Sequence, residues 1–260
     1  MTTQTDAAEV FRALHRPGDP LLLMNIWDAG SARAVLETEP AALATSSWAV
    51  AAAMGMPDGE TMPLDDVLAL ARSLVGMTRV PVSIDLESGY GSGPLEVYRC
   101  VRRAIATGAV GCNLEDRRPG SGSLISADDQ AQRLRAARRA ADETGVPLFL
   151  NARTDVFLSD SKAGHRGVEE VLARAHLYAA AGADGLLVPG LVAVDLIGQV
   201  VDGSPLPVNV MTGTDGDIPG LVKTGVARIS LGAAPYIKVM VGLSRLAQQL
   251  SQANWSATSP

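Results

Sequence analysis

Short apolar runs recur along the chain, each closed by polar or small residues and separated from the next by a stretch whose apolar positions follow helical spacing. The runs of strand length are Leu21 to Asn25, Ala42 to Ser46, Val82 to Leu86, Gly111 to Leu114, Leu148 to Arg153, Gly185 to Val188, Val208 to Met211 and Ala227 to Ser230. Alanine-rich helical stripes run from Pro63 to Val75, Leu95 to Thr107, Ala127 to Thr144 and Val168 to Ala181. Glycine follows three of these segments directly, at Gly108, Gly145 and Gly182, as a helix stop. Strand and helix alternating in this way predict an α/β fold, a closed parallel (β/α)8 barrel of the TIM type. A single domain is expected, with a short helix (Ala7 to Leu14) within residues 1–20, the barrel over 21–234, an amphipathic helix over 235–250 and a disordered tail over 251–260.

Active sites of such barrels sit at the C-terminal ends of the strands. Asp28 follows the first strand, Ser46 and Ser47 end the second, Asp85 and Glu87 the third, Glu115 and Asp116 the fourth, and Asn151, Arg153 and Asp155 the fifth. The last three strands end on Pro189 and Gly190, Thr212 and Gly213, and Gly232, so the chemistry is expected on the first five. Gly213 and Gly232 suit either a phosphate site or ordinary loops.

In extended backbone Asp85 and Glu87 point to one face, and Glu115 adds a third carboxylate from the neighbouring strand. Crowded like charges are costly without a cation. Magnesium takes oxygen ligands and keeps several waters, so one direct carboxylate with others acting through water would hold it. The competing reading is that these acids cap the turn and form salt bridges. Arg153 suits a bidentate clamp on a substrate carboxylate or phosphonate, or else a structural pairing with Asp155 or Glu115. Ser46-Ser47-Trp48, with the turn Gly55 to Gly59, offers hydroxyl and backbone N–H groups to a small anion, or is an ordinary serine-rich turn. Arg117 to Ser123 reads as a mobile flap whose closure would exclude water.

Hydrophobic content of 47% with 4% aromatic residues and 26 glycines favours helices packed on a parallel sheet over a β-sandwich. The 22 basic and 28 acidic residues form no cationic cluster, which argues against a nucleic-acid partner. The first residues lack a secretion signal and no apolar run reaches membrane-spanning length, so a cytoplasmic protein without a membrane partner is expected. Cys100 and Cys112 read as buried reduced thiols, and His15, His165 and His176 lack zinc-ligand spacing.

Three segments together are specific. Asp85 to Gly91 (Asp-Leu-Glu-Ser-Gly-Tyr-Gly), Leu114 to Asp116 (Leu-Glu-Asp) and Ala152 to Asp155 (Ala-Arg-Thr-Asp) resemble, in order, motifs of the isocitrate lyase and phosphoenolpyruvate mutase superfamily, with the Gly-x-x-Asp turn at Gly55 to Asp58 as a fourth match. The resemblance spans about Leu21 to Leu231 and implies a magnesium enzyme, with manganese as the substitute ion. Asp85 would bind the ion, and Asp58, Glu87 and Glu115 would hold its waters. Ser46, Ser47 and Trp48 would contact the substrate carboxylate, with Arg153 and Asn151 as further substrate-binding groups. Asp58, Glu115, Arg153 and Tyr90 are the catalytic candidates. The shared chemistry is formation or breakage of a bond beside a pyruvate-like enolate. Family members also commonly exchange the C-terminal helix, which implies a homodimer or homotetramer joined through residues 235–250.

Departures narrow the substrate. The flap Arg117 to Ser123 has neither the Cys and His of the isocitrate and methylisocitrate lyases nor the Lys and Asn of the phosphonomutases. No His follows the sixth strand, and Glu87 stands where Asp is commoner. A carbon–carbon lyase acting on a small 2-oxo or 2-hydroxy di- or tricarboxylate, with water or Tyr90 as proton donor, is the leading expectation. A phosphonomutase using Arg118 and a non-catalytic carboxylate-binding barrel are the alternatives.

Overall fold

The computed structural model describes residues 3–252. Helix α1 (Gln4–Ala13) leads into β1 (Leu21–Leu23) and β2 (Asn25–Ile26), followed by α2 (Ala29–Leu36), β3 (Leu43–Thr45), α3 (Ser47–Ala53) and α4 (Leu64–Gly76). Next come β4 (Val82–Asp85), α5 (Pro94–Ile105), β5 (Gly111–Glu115), α6 (Ala127–Thr144), β6 (Phe149–Arg153), α7 (Val156–Ser159) and α8 (Gly164–Ala180). The chain finishes with β7 (Gly185–Val188), α9 (Val194–Gly203), β8 (Val208–Met211), α10 (Ile218–Lys223), β9 (Arg228–Ser230) and α11 (Ala234–Gln252).

All strand pairs are parallel, in the order β1-β9-β8-β7-β6-β5-β4-β3-β2. Because β1 and β2 adjoin across Met24, the sheet returns to its own start as a barrel. The predicted first strand is thus split: Leu21 to Leu23 pair with β9, and Asn25 and Ile26 pair with β3. One chain segment serves two neighbours at the seam. The nine ladder segments occupy the eight expected strand positions.

Alternation along these strands separates two buried layers. Ile84, Cys112, Leu114, Leu150, Ala152, Leu186, Val188, Val210 and Ile229 form the apolar set that packs beneath helices carrying Leu68, Val97, Val101, Leu134, Val171 and Ile197. Many of the intervening positions are polar, among them Ser83, Asp85, Asn113, Asn151, Asn209, Arg228 and Ser230, all buried. At the N-terminal mouth, α1 inserts Phe11, edge-on to Phe149 with ring centroids 5.6 Å apart, while His15 stacks on Phe149 at 3.9 Å. Gly111 and Gly185 are required there, since a Cβ would stand 2.6 Å from Phe11 and 2.8 Å from the Asn151 amide oxygen respectively.

Helix α8 begins four residues before the predicted Val168, and short helices α2, α3, α7, α9 and α10 fill stretches that carry weaker periodicity. Of the tail expected to be disordered, Ser251 and Gln252 belong to α11; residues 253–260 lie outside those described. Among the described residues no helix is long and apolar enough to cross a membrane.

Candidate active site

A cavity of about 220 Å3 opens at the C-terminal end of the barrel, walled by Ser46, Ser47, Trp48, Asp58, Asp85 and Arg153 among others. Asp85 ends β4 and is 9% exposed. Its backbone N–H donates to Thr45 Oγ1 at 2.9 Å, and its Oδ2 accepts from Ser47 Oγ at 3.1 Å. These bonds tie the end of β4 to that of β3 and fix the carboxylate against the Ser46-Ser47-Trp48 turn.

Glu87 reaches the same cluster by a different route from the expected one. The strand stops at Asp85, and Glu87 adopts φ 51°, in the left-handed region, so strand alternation does not aim it. Its backbone N–H donates to Asp85 Oδ1 at 3.2 Å, and its own Oε2 accepts from the backbone N–H groups of Gly59 (2.8 Å) and Glu60 (2.6 Å). Glu60 (φ 60°) answers in kind: its Oε1 accepts from Ser88 Oγ at 2.6 Å and from the Tyr90 N–H at 2.8 Å. Three non-glycine residues with positive φ, Glu60, Glu87 and Tyr90, thus meet where two loops lock together, strain of the kind that persists when surrounding contacts over-determine it.

The acids are not neutralised in proportion to their number. Burial, then the charge of Asp58, pushes the Glu87 carboxyl up to about 7. Burial and Asp85 raise Asp58 as well, and burial holds Glu115 well above the carboxylate range even with Arg153 beside it. Arg153 is the cation paired with these acids: Nη1 lies 2.8 Å from Glu115 Oε2, while Nε and Nη2 form a fork on Asp155 at 2.6 and 2.9 Å. Burial works to lower the guanidinium, but Glu115 and Asp155 more than reverse that, so it stays charged.

No group of three or more acidic, histidine or cysteine side chains converges closely enough to cage a metal among the described residues. The donor set nevertheless fits a hydrated magnesium: two carboxylates on the cavity wall, Asp58 and Asp85, with Glu87 and Glu115 nearby, hard oxygen donors all. Asp85 and Asp58 could hold such an ion from the cavity wall, while Glu87 and Glu115 line the adjoining void and cleft.

Other expected residues have moved in role. Asn151 does not line the cavity; its Nδ2 donates to Asn113 Oδ1 at 2.9 Å, and Asn113 is the group on the wall. The Tyr90 hydroxyl faces Glu87 Oε1 at 3.4 Å, beside a small void behind the acid cluster rather than in the main cavity. Asp116 is wholly buried and structural, accepting from Arg174, Tyr178 and the Asp155 N–H. Asp28 N-caps α2 through the Ser31 N–H at 2.7 Å. The segment Arg117 to Ser123 is an ordered turn, with a bridge from Arg117 to Leu124 and the Arg118 N–H donating to the Ser123 carbonyl at 2.8 Å. It overhangs a cleft shared with Trp48, Asp58 and Glu115, in the position of a lid.

This geometry has known counterparts. The chain matches the phosphoenolpyruvate phosphomutase family over residues 11–251. It belongs to that family. Within the phosphomutase family and its neighbours, a Burkholderia cenocepacia protein provisionally named a phosphonomutase shares 47% identity over 95% of this chain and 99% of its own, with a TM-score of 0.91. An uncharacterised Mycobacterium tuberculosis protein is 31% identical over 93% of this chain and 88% of its own length. The 2-methylisocitrate lyase of Escherichia coli is 28% identical over 77% of this chain and 68% of its own. Lyases and mutases are thus both represented among these relatives, and the family membership makes this chain one of a set of enzymes that includes both.

The site also contains residues that the sequence reading passed over. Asn25, Asn113, Arg228 and Ser230 all line the cavity. Their signal was available: a polar residue at every second position of a buried strand, as in Arg228-Ile229-Ser230 and Asn113-Leu114-Glu115. Tyr236, at the start of α11, stands edge-on to Trp27 at 5.2 Å and to Trp48 at 6.0 Å, which fixes the helix start beside the pocket.

Proposed function

We propose that this protein is a magnesium-dependent lyase that breaks a carbon–carbon bond in a small 2-oxo or 2-hydroxy di- or tricarboxylate. The observation that carries the proposal is the joint placement of Asp85 and Arg153 on one cavity, an under-neutralised acid cluster beside a fixed guanidinium fork. When bound at Asp85, magnesium would supply Lewis-acid stabilisation of the negative charge that develops on a substrate oxygen. Manganese would substitute. Everything else falls to the chain's own groups. Ser46, Ser47 and Trp48 at the start of α3 offer hydroxyls and N–H groups to the substrate carboxylate. Arg153, held in its rotamer by Asp155 and Glu115, presents a fixed positive charge to a further oxygen. The Arg117 to Ser123 turn, closing on the cleft, would exclude water during bond breakage. Its lack of Cys and His leaves protonation of the departing fragment to water, since the Tyr90 hydroxyl faces Glu87 and burial raises its pKa.

A second reading, phosphorus–carbon bond transfer, draws on the family match and on the 47% identical relative named as a phosphonomutase. Arg118, on the rim of the outer cleft, would then take the place of the absent flap lysine. Product identity separates the two. The protein is incubated with magnesium and oxaloacetate, a dimethylmalate or phosphonopyruvate, with pyruvate followed by a coupled assay and phosphorus by NMR. Turnover of the phosphorus-free acids supports the lyase; a new phosphorus resonance supports the mutase; silence throughout leaves a carboxylate-binding barrel. We further propose that the exposed apolar residues of α11, including Ile237, Val241 and Leu243, pack on a second copy of the chain in a helix-exchanged dimer or tetramer. A monomeric mass in solution would refute that assembly.

A further inference from the structure

The last barrel strand brings a charge to the cavity that the acid cluster and Arg153 do not explain. Arg228 opens β9, is 1% exposed, and extends along the barrel interior to line the cavity together with Ser230. Its Nε donates to Ser230 Oγ at 3.0 Å, and that hydroxyl donates in turn to Asn209 Oδ1 at 3.2 Å. Arg228 Nη1 is buried without a hydrogen-bond partner, and so is Nδ2 of Asn209, the residue paired with Arg228 in the sheet. Among the described residues no carboxylate forms a salt bridge with Arg228. Burial pushes the guanidinium down to about 10, and the one opposing influence is the charge of Asp85. A buried cation with spare donors is expensive unless an anion completes it, and the planar fork of arginine matches a carboxylate.

We propose that Arg228 binds a second carboxylate of the substrate, so that the cavity selects diacids, with one acid group at the Ser46–Trp48 turn and Arg153 and the other at the barrel axis. This rests on the carboxylate-lyase reading above and names the residue that sets its substrate class. The cavity, at about 220 Å3, is sized for a small diacid rather than an extended ligand.

Malate and lactate share a 2-hydroxy acid end and differ by one carboxylate, so their ratio of affinities reads the second site alone. In calorimetric titrations of the magnesium-loaded protein, malate is expected to bind at least about tenfold more tightly than lactate, as a charge-assisted pair requires. Arg228→Met should keep the lactate affinity and lose the preference, with Arg228→Lys restoring part of it. A purely structural role would leave the ratio unchanged. An unchanged ratio in Arg228→Met overturns the proposal, as does an unchanged ratio in Arg228→Lys should the Met variant not fold. A wild-type protein that binds both acids equally overturns it while sparing the lyase reading; one that binds neither removes both.

Discussion

Glu87→Gln tests the acid cluster most directly, because the change is nearly isosteric and alters one charge. A carboxyl whose folded pKa lies above its unfolded value destabilises the fold once pH exceeds the unfolded value, and the penalty grows until pH passes the folded value. For Glu87 that window runs from its ordinary 4.5 to about 7. At 1.36 kcal/mol per pH unit the full penalty is about 3 kcal/mol at about pH 8, and about 1.4 kcal/mol at about pH 5.5. The glutamine oxygen retains the Gly59 and Glu60 N–H donors, so the loop contact survives the substitution. In urea titrations with a chelator present, Glu87→Gln should therefore be more stable than wild type by about 2–3 kcal/mol at about pH 8, with a smaller gain at about pH 5.5. Saturating magnesium should close most of that gap by stabilising the wild-type carboxylate. A variant with the wild-type pH dependence in chelator would refute the account of Glu87 as a buried, uncompensated acid. A gap unaffected by magnesium would refute its part in holding the ion.

Three further outcomes are expected. Asp85→Asn keeps an oxygen for the Ser47 hydroxyl and should retain the native circular dichroism spectrum while calorimetry shows magnesium affinity reduced by at least about tenfold. Arg174→Met leaves Asp116 buried beside Tyr178 without its cation and should cost about 3–5 kcal/mol in denaturant unfolding. His15 donates Nδ1–H to the Phe11 carbonyl, and burial, then Arg228, pushes its pKa down to about 3. Its unfolded form protonates first as pH falls below 6.5, so its contribution is present above 6.5 and should fall by about 2 kcal/mol on reaching about pH 5. His15→Phe should lack that acid-side slope, and an identical slope would refute the buried neutral imidazole.

Local pattern along the chain suffices to specify the barrel and to place several polar residues at its C-terminal end. Apolar runs broken by helical stripes and glycine stops dictate alternating strands and helices, and parallel strands bury their C-terminal polar residues where loops gather. Asp85, Glu115, Arg153 and the Ser46–Trp48 turn were legible for that reason, since the three charged residues end their strands and the turn begins one residue after β3, so local periodicity places them. What lay beyond local pattern was decided by tertiary contacts. The first strand divides at Met24 because barrel closure gives its two halves different neighbours. Glu87 faces the acid cluster through a left-handed turn locked by Glu60, a residue 27 positions away that no strand alternation predicts. Asn151 and Tyr90 stand one layer behind the cavity, while Arg228, from the far end of the chain, stands on its wall. Those placements depend on which strands meet across the closed interior, and a linear pattern of apolar and polar positions carries which face a side chain takes but not which side chains it will find there.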